Sequence, residues 1–436
     1  MKVVHLCMQH YGGAGTSAER LHAGLLAQGV DSRMAVLKKR GTDERIHLLP
    51  GPQGSGAVPV TLENGEVLAP GWIAASKRWS EHLGPYPGLS SDLELFSDPC
   101  AQTRLDSVQL LRDADVLNFH WVAGMADMTL DLDFLATKPI VWTMHDMNPF
   151  TGGCHYSVGC QRYQEACGAC HLLGSSDESD ISHSYFETKR TAYARLDMTC
   201  VTPSRWLGDC ASASILFGDF PRRVIPYGLP TDVFKPYDRE AVRRELGVAS
   251  DAKVVLFGAA GVHNRRKGLR YLVAALERLA ADGRAKDVVL AMFGEFAGQA
   301  PRLPFPVIPA GYVTDETQLA LLFSMADVYV LPSVEDNLPN VVLESLSCGT
   351  PVVGFNIGGI PDMVEHKKTG WLVPRGDVAG LADGIRWATA PRPVPGLMRR
   401  LCRSVVLERY PMAVQARGYT ELYEEVLARR AGGIGA

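Results

Sequence analysis

At 436 residues, with 46% hydrophobic and 21% charged side chains, the chain is long and apolar enough to bury two cores of about 200 residues each. A formal charge of -4 excludes the global basic field that would hold nucleic acid, and the local run Lys38-Lys39-Arg40 reads as a solvated loop. No apolar run reaches the roughly 18 to 20 residues of a membrane-crossing helix.

The N-terminal Met1-Lys2-Val3-Val4-His5 enters a strand rather than a signal peptide, so the expectation is a cytoplasmic protein. Its ten cysteines would then be thiols or metal ligands, not a disulfide frame. Residues 3–8 read as a buried strand and 17–27 as a helix, joined by His10-Tyr11-Gly12-Gly13-Ala14-Gly15-Thr16. Such a glycine-rich turn brings backbone N–H groups and a helix N-terminus to an anion. It lacks the dinucleotide spacing and the GxxxxGK[ST] phosphate loop, which argues against NAD and ATP.

Residues 30–37 form the next strand. The stretch 41–102, rich in Gly and Pro and carrying Trp72, Trp79, Tyr86 and Phe96, reads as an irregular insertion that sets specificity. A helix over 103–112 leads to a strand over 116–119 and then His120-Trp121; a strand over 140–144 leads to His145-Asp146. Histidines at the C-terminal ends of two parallel strands face the crevice where open α/β sheets bind ligands.

Cys154, Cys160, Cys167 and Cys170 follow within seventeen positions. The CxxC pair suits a tetrahedral ion, whereas the first pair is spaced more widely than a usual zinc knuckle. A structural zinc site and metal-free reduced thiols fit this spacing equally well. Residues 181–195 are helical, 199–202 a strand, and Ser204 starts a helix.

The strand and helix alternation then restarts, with strand 254–258, helix 268–282, strand 288–294 and helix 314–325, which means a second doubly wound parallel sheet. Arg265, Arg266 and Lys267 stand between its first strand and a helix N-terminus, where fixed cations stabilise charge growing on a departing diphosphate. The stretch 331–365, LPSVEDNLPNVVLESLSCGTPVVGFNIGGIPDMVE, carries a strand ended by Pro332, a turn Glu335-Asp336-Asn337-Leu338 and a helix started by Pro339. Glu344 lies one turn past Asn340 on the same face. A carboxylate before the helix, N–H groups in its first turn and a carboxylate inside it suit a hydroxyl-rich ligand. Residues 351–355 are a strand, 356–361 a glycine-bearing loop, and 378–388 and 405–429 helices.

The order PS, two carboxylates eight positions apart, PN, LE, CGTPVV, GGIP and TGWLVP resembles the C-terminal half of the group-one glycosyl transferases, retaining nucleotide-sugar-dependent enzymes. The resemblance is strong over 254–377 and moderate before it. It implies an α/β, GT-B fold of two doubly wound parallel-sheet (Rossmann-like) domains with an interdomain cleft. Residues 1–225 would form the acceptor-side domain, with 412–436 crossing back, and 226–411 the nucleotide-sugar-binding domain. The Pro-rich 224–236 would be the hinge, with Tyr227 where Asn is common.

The implied reaction moves a sugar from a nucleotide diphosphate sugar to a carbohydrate or lipid-linked acceptor with retention, with no cofactor or metal required for catalysis. His145 would sit beside the transferred sugar, and Gly12 and Gly13 beside the donor diphosphate. Aligning on Glu344 puts Asp336, Asn337 and Leu338 where the family usually has Glu, Gly and an aromatic residue, and leaves both Glu335 and Asp336 open as the acid facing the sugar. Asn337, Leu338, Pro339 and Asn340 would line the donor, and Glu344 would take the ribose hydroxyls. Lys267 matches the family's Lys; its Arg slot falls near Gly261, so Arg265 or Arg266 would replace it. The HDMNPFTGGCHY and CGAC segments are similar to a subgroup that assembles bacterial polysaccharides, for which peripheral association with the inner membrane face is an expected partner surface. The rival readings are a GT-B epimerase or phosphorylase, and a non-catalytic sugar- or metal-binding protein on the same fold.

Overall fold

The computed structural model describes residues 1–51, 56–261, 264–283, 287–295, 303–391 and 393–433. Residues 52–55 of the insertion and 262–263 of the basic loop lie outside the described residues. The chain divides into a first unit, Met1–Gly228 with Ala413–Ala436, and a second, Leu229–Met412. Among the described residues no helix is long and apolar enough to cross a membrane.

The strands of the first unit are β1 (Lys2–Leu6), β2 (Asp31–Val36), β3 (Lys38–Lys39), β4 (Ile46–Leu48), β5 (Val60–Thr61), β6 (Val67–Leu68), β7 (Val116–Phe119), β8 (Ile140–Thr143), β9 (Met198–Thr202) and β10 (Arg222–Val224). Seven of them form a parallel sheet in the order β10-β9-β8-β7-β1-β2-β4. β1, β7, β8 and β9 are short apolar runs buried almost throughout, as strands covered on both faces must be. Chain order reverses between β1 and β7, the switch point at which open α/β sheets leave a crevice beyond the strand ends. The helix Met412–Gly433 covers the β1, β7, β8 and β9 side through Tyr419, Leu422, Tyr423 and Val426, packed on Val3, Val116, Val141 and Val201.

Several expected elements differ. The first helix runs Gly12–Ala27, starting at the glycines rather than at residue 17, because Tyr11 is extended and Gly12 takes φ +72°. The insertion 41–102 is not irregular throughout: it holds β4, the strands β5 and β6 that complete an antiparallel sheet with β3, and a helix, Pro70–Leu83, with Pro70 in its first turn. Lys38-Lys39-Arg40 is a packed edge, with Lys38 Nζ 3.7 Å from the centre of the Trp72 ring and the Arg40 guanidinium 3.9 Å from that of Tyr11. The helix expected over 103–112 is a 3-10 turn, Leu105–Ser107, and one α turn, Gln109–Arg112, interrupted where Val108 is extended. Asp131 accepts the Leu105 N–H at 2.9 Å and anchors that bend.

The second unit holds β11 (Lys253–Gly261), β12 (Val288–Glu295), β13 (Val307–Gly311), β14 (Val328–Leu331), β15 (Val352–Phe355) and β16 (Gly370–Val373), all parallel in the order β13-β12-β11-β14-β15-β16. Its switch point lies between β11 and β14. The register shifts between Ala259 and Gly261, a bulge that re-aims the end of β11. The core joins Val255, Phe257, Leu290, Val330 and Val353 of the sheet to Leu272, Leu276 and Leu279 of the helix Leu269–Ala281. In place of the one helix expected over 405–429 the chain makes two, Leu397–Arg409 and Met412–Gly433, because Pro411 cannot continue the first.

Candidate active site

In the second unit the loop after β11 and the turn after β14 meet at the switch point. The loop makes a 3-10 turn, Arg265–Lys267, capped by Asn264, whose side chain accepts the Arg266 N–H at 2.9 Å. This turn delivers Lys267 Nζ to Asp336 Oδ2 at 2.8 Å and Arg266 Nη1 to Asp336 Oδ1 at 3.2 Å. Arg266 Nη1 also donates to the Glu335 carbonyl at 2.9 Å, and Val334 N–H to the Arg266 carbonyl at 2.9 Å. Burial alone would raise the Asp336 carboxyl, but the charges of Lys267 and Arg266 outweigh it and hold the group below the usual carboxylate range. Of the two acids the sequence leaves open, Asp336 is the buried one that meets the cations; Glu335 is half-buried and offers Arg266 its backbone. Of the two arginines, Arg266 reaches this cluster and Arg265 is exposed.

The helix Asn340–Ser347 follows, with Pro339 at its N-cap and Glu344 buried inside it. Asn337 and Leu338 are buried as well, so in this structure the turn presents backbone more than side chain. Tyr329 lies behind both acids: burial, then the charges of Glu344 and Asp336, push its phenol up, and the protonated hydroxyl donates to the Gly258 carbonyl at 2.7 Å. The glycine loop after β15 does not stand off from the chain. Gly359 N–H donates to the Asn337 carbonyl at 2.7 Å, and a Cβ on Gly358 would fall 1.7 Å from the Asp336 carbonyl oxygen. The close approach that Gly358 permits is thus to the backbone that carries Asp336.

In the first unit His120 and His145, expected to share a crevice, are hydrogen-bonded directly, Nδ1 to Nε2, at 2.9 Å and stack with ring centroids 5.2 Å apart. His145 Nδ1 meets the Tyr227 hydroxyl at 2.7 Å. Burial pushes the imidazole of His145 down to about 4, so it is neutral at pH 7. Asp146 meets His155 Nδ1 at 2.7 Å and accepts the Asn148 N–H at 2.9 Å; His155 in turn meets Ser97 Oγ at 2.8 Å. Tyr227 and His155 were not read as site residues, since nothing in their spacing announces them. Gly12 and Gly13 are both exposed at the start of the first helix, and a Cβ on Gly13 would meet nothing within 4 Å, so backbone can be approached there.

Cys154, Cys160, Cys167 and Cys170 line one small cavity, with Gly152 N–H donating to Cys167 Sγ at 3.1 Å. All four are free thiols. Burial pushes the Cys167 thiol up to about 11 and raises those of Cys154 and Cys170, so without an ion they stay protonated. Among the described residues no three His, Cys, Asp or Glu side chains stand in a metal-binding arrangement. The loop is braced from below: Lys189 Nζ donates to the Asn148 and Thr151 carbonyls at 2.5 and 3.0 Å, and Cys170 N–H to Asp180 at 2.8 Å.

Residues 252–390 match the family described as glycosyl transferases group 1. The second unit is a group 1 glycosyl transferase domain. The Lys267–Asp336 pair and Glu344 all lie within this glycosyl transferase domain. The chain is 34% identical over 206 residues to a 2-deoxystreptamine N-acetyl-D-glucosaminyltransferase of Streptomyces fradiae, covering 42% of this chain and 47% of that protein. It is 36% identical over 192 residues to a D-inositol 3-phosphate glycosyltransferase of Geodermatophilus obscurus, covering 40% of this chain and 42% of that one. The chain thus spans less than half the length of these two relatives. Over 98% of its own length it is similar to the solved structure of Anabaena HepE in complex with UDP-glucose, with a TM-score of 0.61 at 16% identity and all of that chain covered. Its two parallel α/β sheets and this likeness make the fold GT-B.

Proposed function

We propose that the protein transfers a sugar from a nucleotide diphosphate sugar to a carbohydrate or lipid-linked acceptor with retention at the anomeric carbon, in the assembly of a surface polysaccharide or glycoconjugate. The observation that carries this reading is the buried Asp336 carboxylate held by Lys267 and Arg266 at the switch point of the second sheet. Two fixed cations at a strand end suit a leaving diphosphate, whose charge grows as the glycosidic bond breaks. In this reading the departing phosphate takes the acceptor's proton, Lys267 and Arg266 hold its charge, Asp336 orients the sugar and Glu344 accepts the ribose hydroxyls. The first unit contributes His145 and the Gly12-Gly13 turn. UDP-glucose bound to the similar Anabaena protein supports a nucleotide sugar as donor.

A panel of nucleotide sugars, read by thermal shift and then by turnover or slow hydrolysis, tests the activity; binding without either would favour a non-catalytic sugar-binding protein. Glu344→Ala is expected to weaken nucleotide diphosphate binding by about 1.5 to 3 kcal/mol, because a charged acceptor of two hydroxyl hydrogen bonds is lost. Equal calorimetric affinity in both proteins would remove Glu344 from the donor site.

We propose further that the four cysteines form a structural unit with no part in the transfer chemistry, since moving a glycosyl group off a phosphate requires no thiolate. Cys167→Ser is expected to lower the thermal midpoint, because a shorter and more polar hydroxyl replaces a half-buried thiol that fits against the Gly152 N–H at 3.1 Å, while the folded enzyme keeps its turnover. Elemental analysis of protein prepared without chelator decides whether one zinc ion completes the unit, in which case metal loss accompanies the substitution. Full stability with all turnover lost would defeat the structural role.

A further inference from the structure

His145 belongs to a longer line. Beyond His120, His120 Nε2 meets His5 Nδ1 at 2.9 Å, His5 Nε2 meets Ser32 Oγ at 3.1 Å, and Ser32 Oγ meets His22 Nδ1 at 2.7 Å. With Tyr227 at the other end, six buried side chains form one unbroken hydrogen-bonded row. The sheet order makes it: Ser32 lies on β2, His5 on β1, His120 just past β7 and His145 just past β8, four neighbouring strands in succession, while His22 comes from the helix Gly12–Ala27. Burial pushes His22 and His145 down to about 4, and His5 and His120 well below their ordinary value, so all four rings are neutral.

A neutral imidazole has one N–H and one lone pair. His120 and His5 must each donate on one side and accept on the other, so with His145 the direction of any one of these three rings fixes the other two, and Ser32 passes that direction on to His22 when its single O–H points along the row. The two possible directions differ in energy. The last atom, His22 Nε2, is buried and finds no hydrogen-bond partner among the described residues. One direction leaves an N–H there and the other a lone pair, two unsatisfied groups of unequal cost. Packing alone gives no reason for this row, since apolar side chains of similar shape would fill the same space without needing every partner.

We propose that His5 and His120 are positioning residues that hold His145 in a single tautomer, through a row anchored at Ser32 and His22. The purpose of the row rests on the reading that His145 acts on the donor sugar. With Nε2 tied to His120, the tautomer fixes whether Nδ1, which meets the Tyr227 hydroxyl here, presents an N–H or a lone pair to that hydroxyl or to a sugar hydroxyl that displaces it.

The test is 15N NMR of histidine-labelled full-length protein, with the His145 signals assigned by their absence in His145→Gln. Intact protein is expected to give one tautomer at His145. His5→Leu breaks the row without touching His145 and should give a mixture of both; Ser32→Ala, with almost no change of volume, should do the same should the first variant fold poorly. His5→Gln keeps a donor and an acceptor and should restore the single tautomer. Turnover should fall roughly ten- to hundredfold in His5→Leu and recover in His5→Gln, with KM for the donor little changed. A His145 spectrum identical in intact protein, His5→Leu and Ser32→Ala overturns the proposal, as does a mixture in the intact protein. His145→Ala with full turnover would instead overturn the role of His145 itself, and the spectra separate the two failures.

Discussion

Lys267→Ala is expected to lower turnover about a hundredfold, equivalent to about 3 kcal/mol of transition-state stabilisation, in a protein that remains folded. The charge on the leaving diphosphate develops as the bond breaks, so a fixed cation there acts more on kcat than on donor affinity. The fold should survive because Asp336 keeps a second partner: Arg266 Nη1 stands 3.2 Å from its other oxygen and is itself tied to the Glu335 carbonyl. Removing both cations would leave a buried carboxylate unpaired, a far costlier change. The pH dependence follows in sign. A carboxyl held below its usual range stabilises the folded state above the unfolded value of about 3.9, and that stability is lost as pH falls through the lower folded value. Acid unfolding should therefore start at a higher pH in Lys267→Ala, where the carboxyl is less depressed. Kinetics with a donor identified from the panel, beside circular dichroism of the same samples, provide the check; unchanged kcat in a folded variant would remove Lys267 from the phosphate site.

Much of this arrangement was legible because its parts are contiguous. Lys267 ends one loop and Asp336 to Glu344 span one turn and one helix, so local spacing carries the geometry. Asp336 could be separated from Glu335 only in three dimensions, where it alone is buried against the cations. The missed elements share a physical cause, local composition overridden by tertiary position. Pro309 hides β13 as a strand, yet β13 lies at the edge of its sheet, where a residue without an N–H is tolerated. Helix Pro70–Leu83 sits in a Gly- and Pro-rich stretch, but Trp72, Ala75 and Trp79 recur at helical spacing and pack on the core. Of the histidine row only the His120 and His145 end was legible, from their places after two parallel strands; His5, His22 and Ser32 share no spacing with them, and only the strand order brings them into line.

Gly358→Ala should be the most damaging small substitution in the second unit, destabilising it by about 2 kcal/mol or more and lowering turnover through Asp336. Two costs combine. Gly358 has φ +54°, in the left-handed region, where a Cβ meets its own backbone at a cost of roughly 1 kcal/mol or more. The added Cβ would also fall 1.7 Å from the Asp336 carbonyl oxygen and 2.9 Å from its carbonyl carbon, neither of which is a flexible group that can turn aside. Relief requires the turn at Asp336 and Asn337 to separate from the glycine loop, which breaks the Gly359 N–H bond to the Asn337 carbonyl and shifts the carboxylate relative to Lys267. A displacement near 1 Å at a positioning group costs about a hundredfold in rate. Gly376→Ala isolates the clash from the backbone strain: Gly376 has φ +84°, but its Cβ would meet only Tyr271, at 4.0 Å. That variant should lose about 1 kcal/mol of stability and keep its turnover. Chemical denaturation and kinetics on both variants give the comparison. If Gly358→Ala proves no worse than Gly376→Ala in stability and rate, the loop does not hold Asp336 in place, and the carboxylate's position rests on its cations alone.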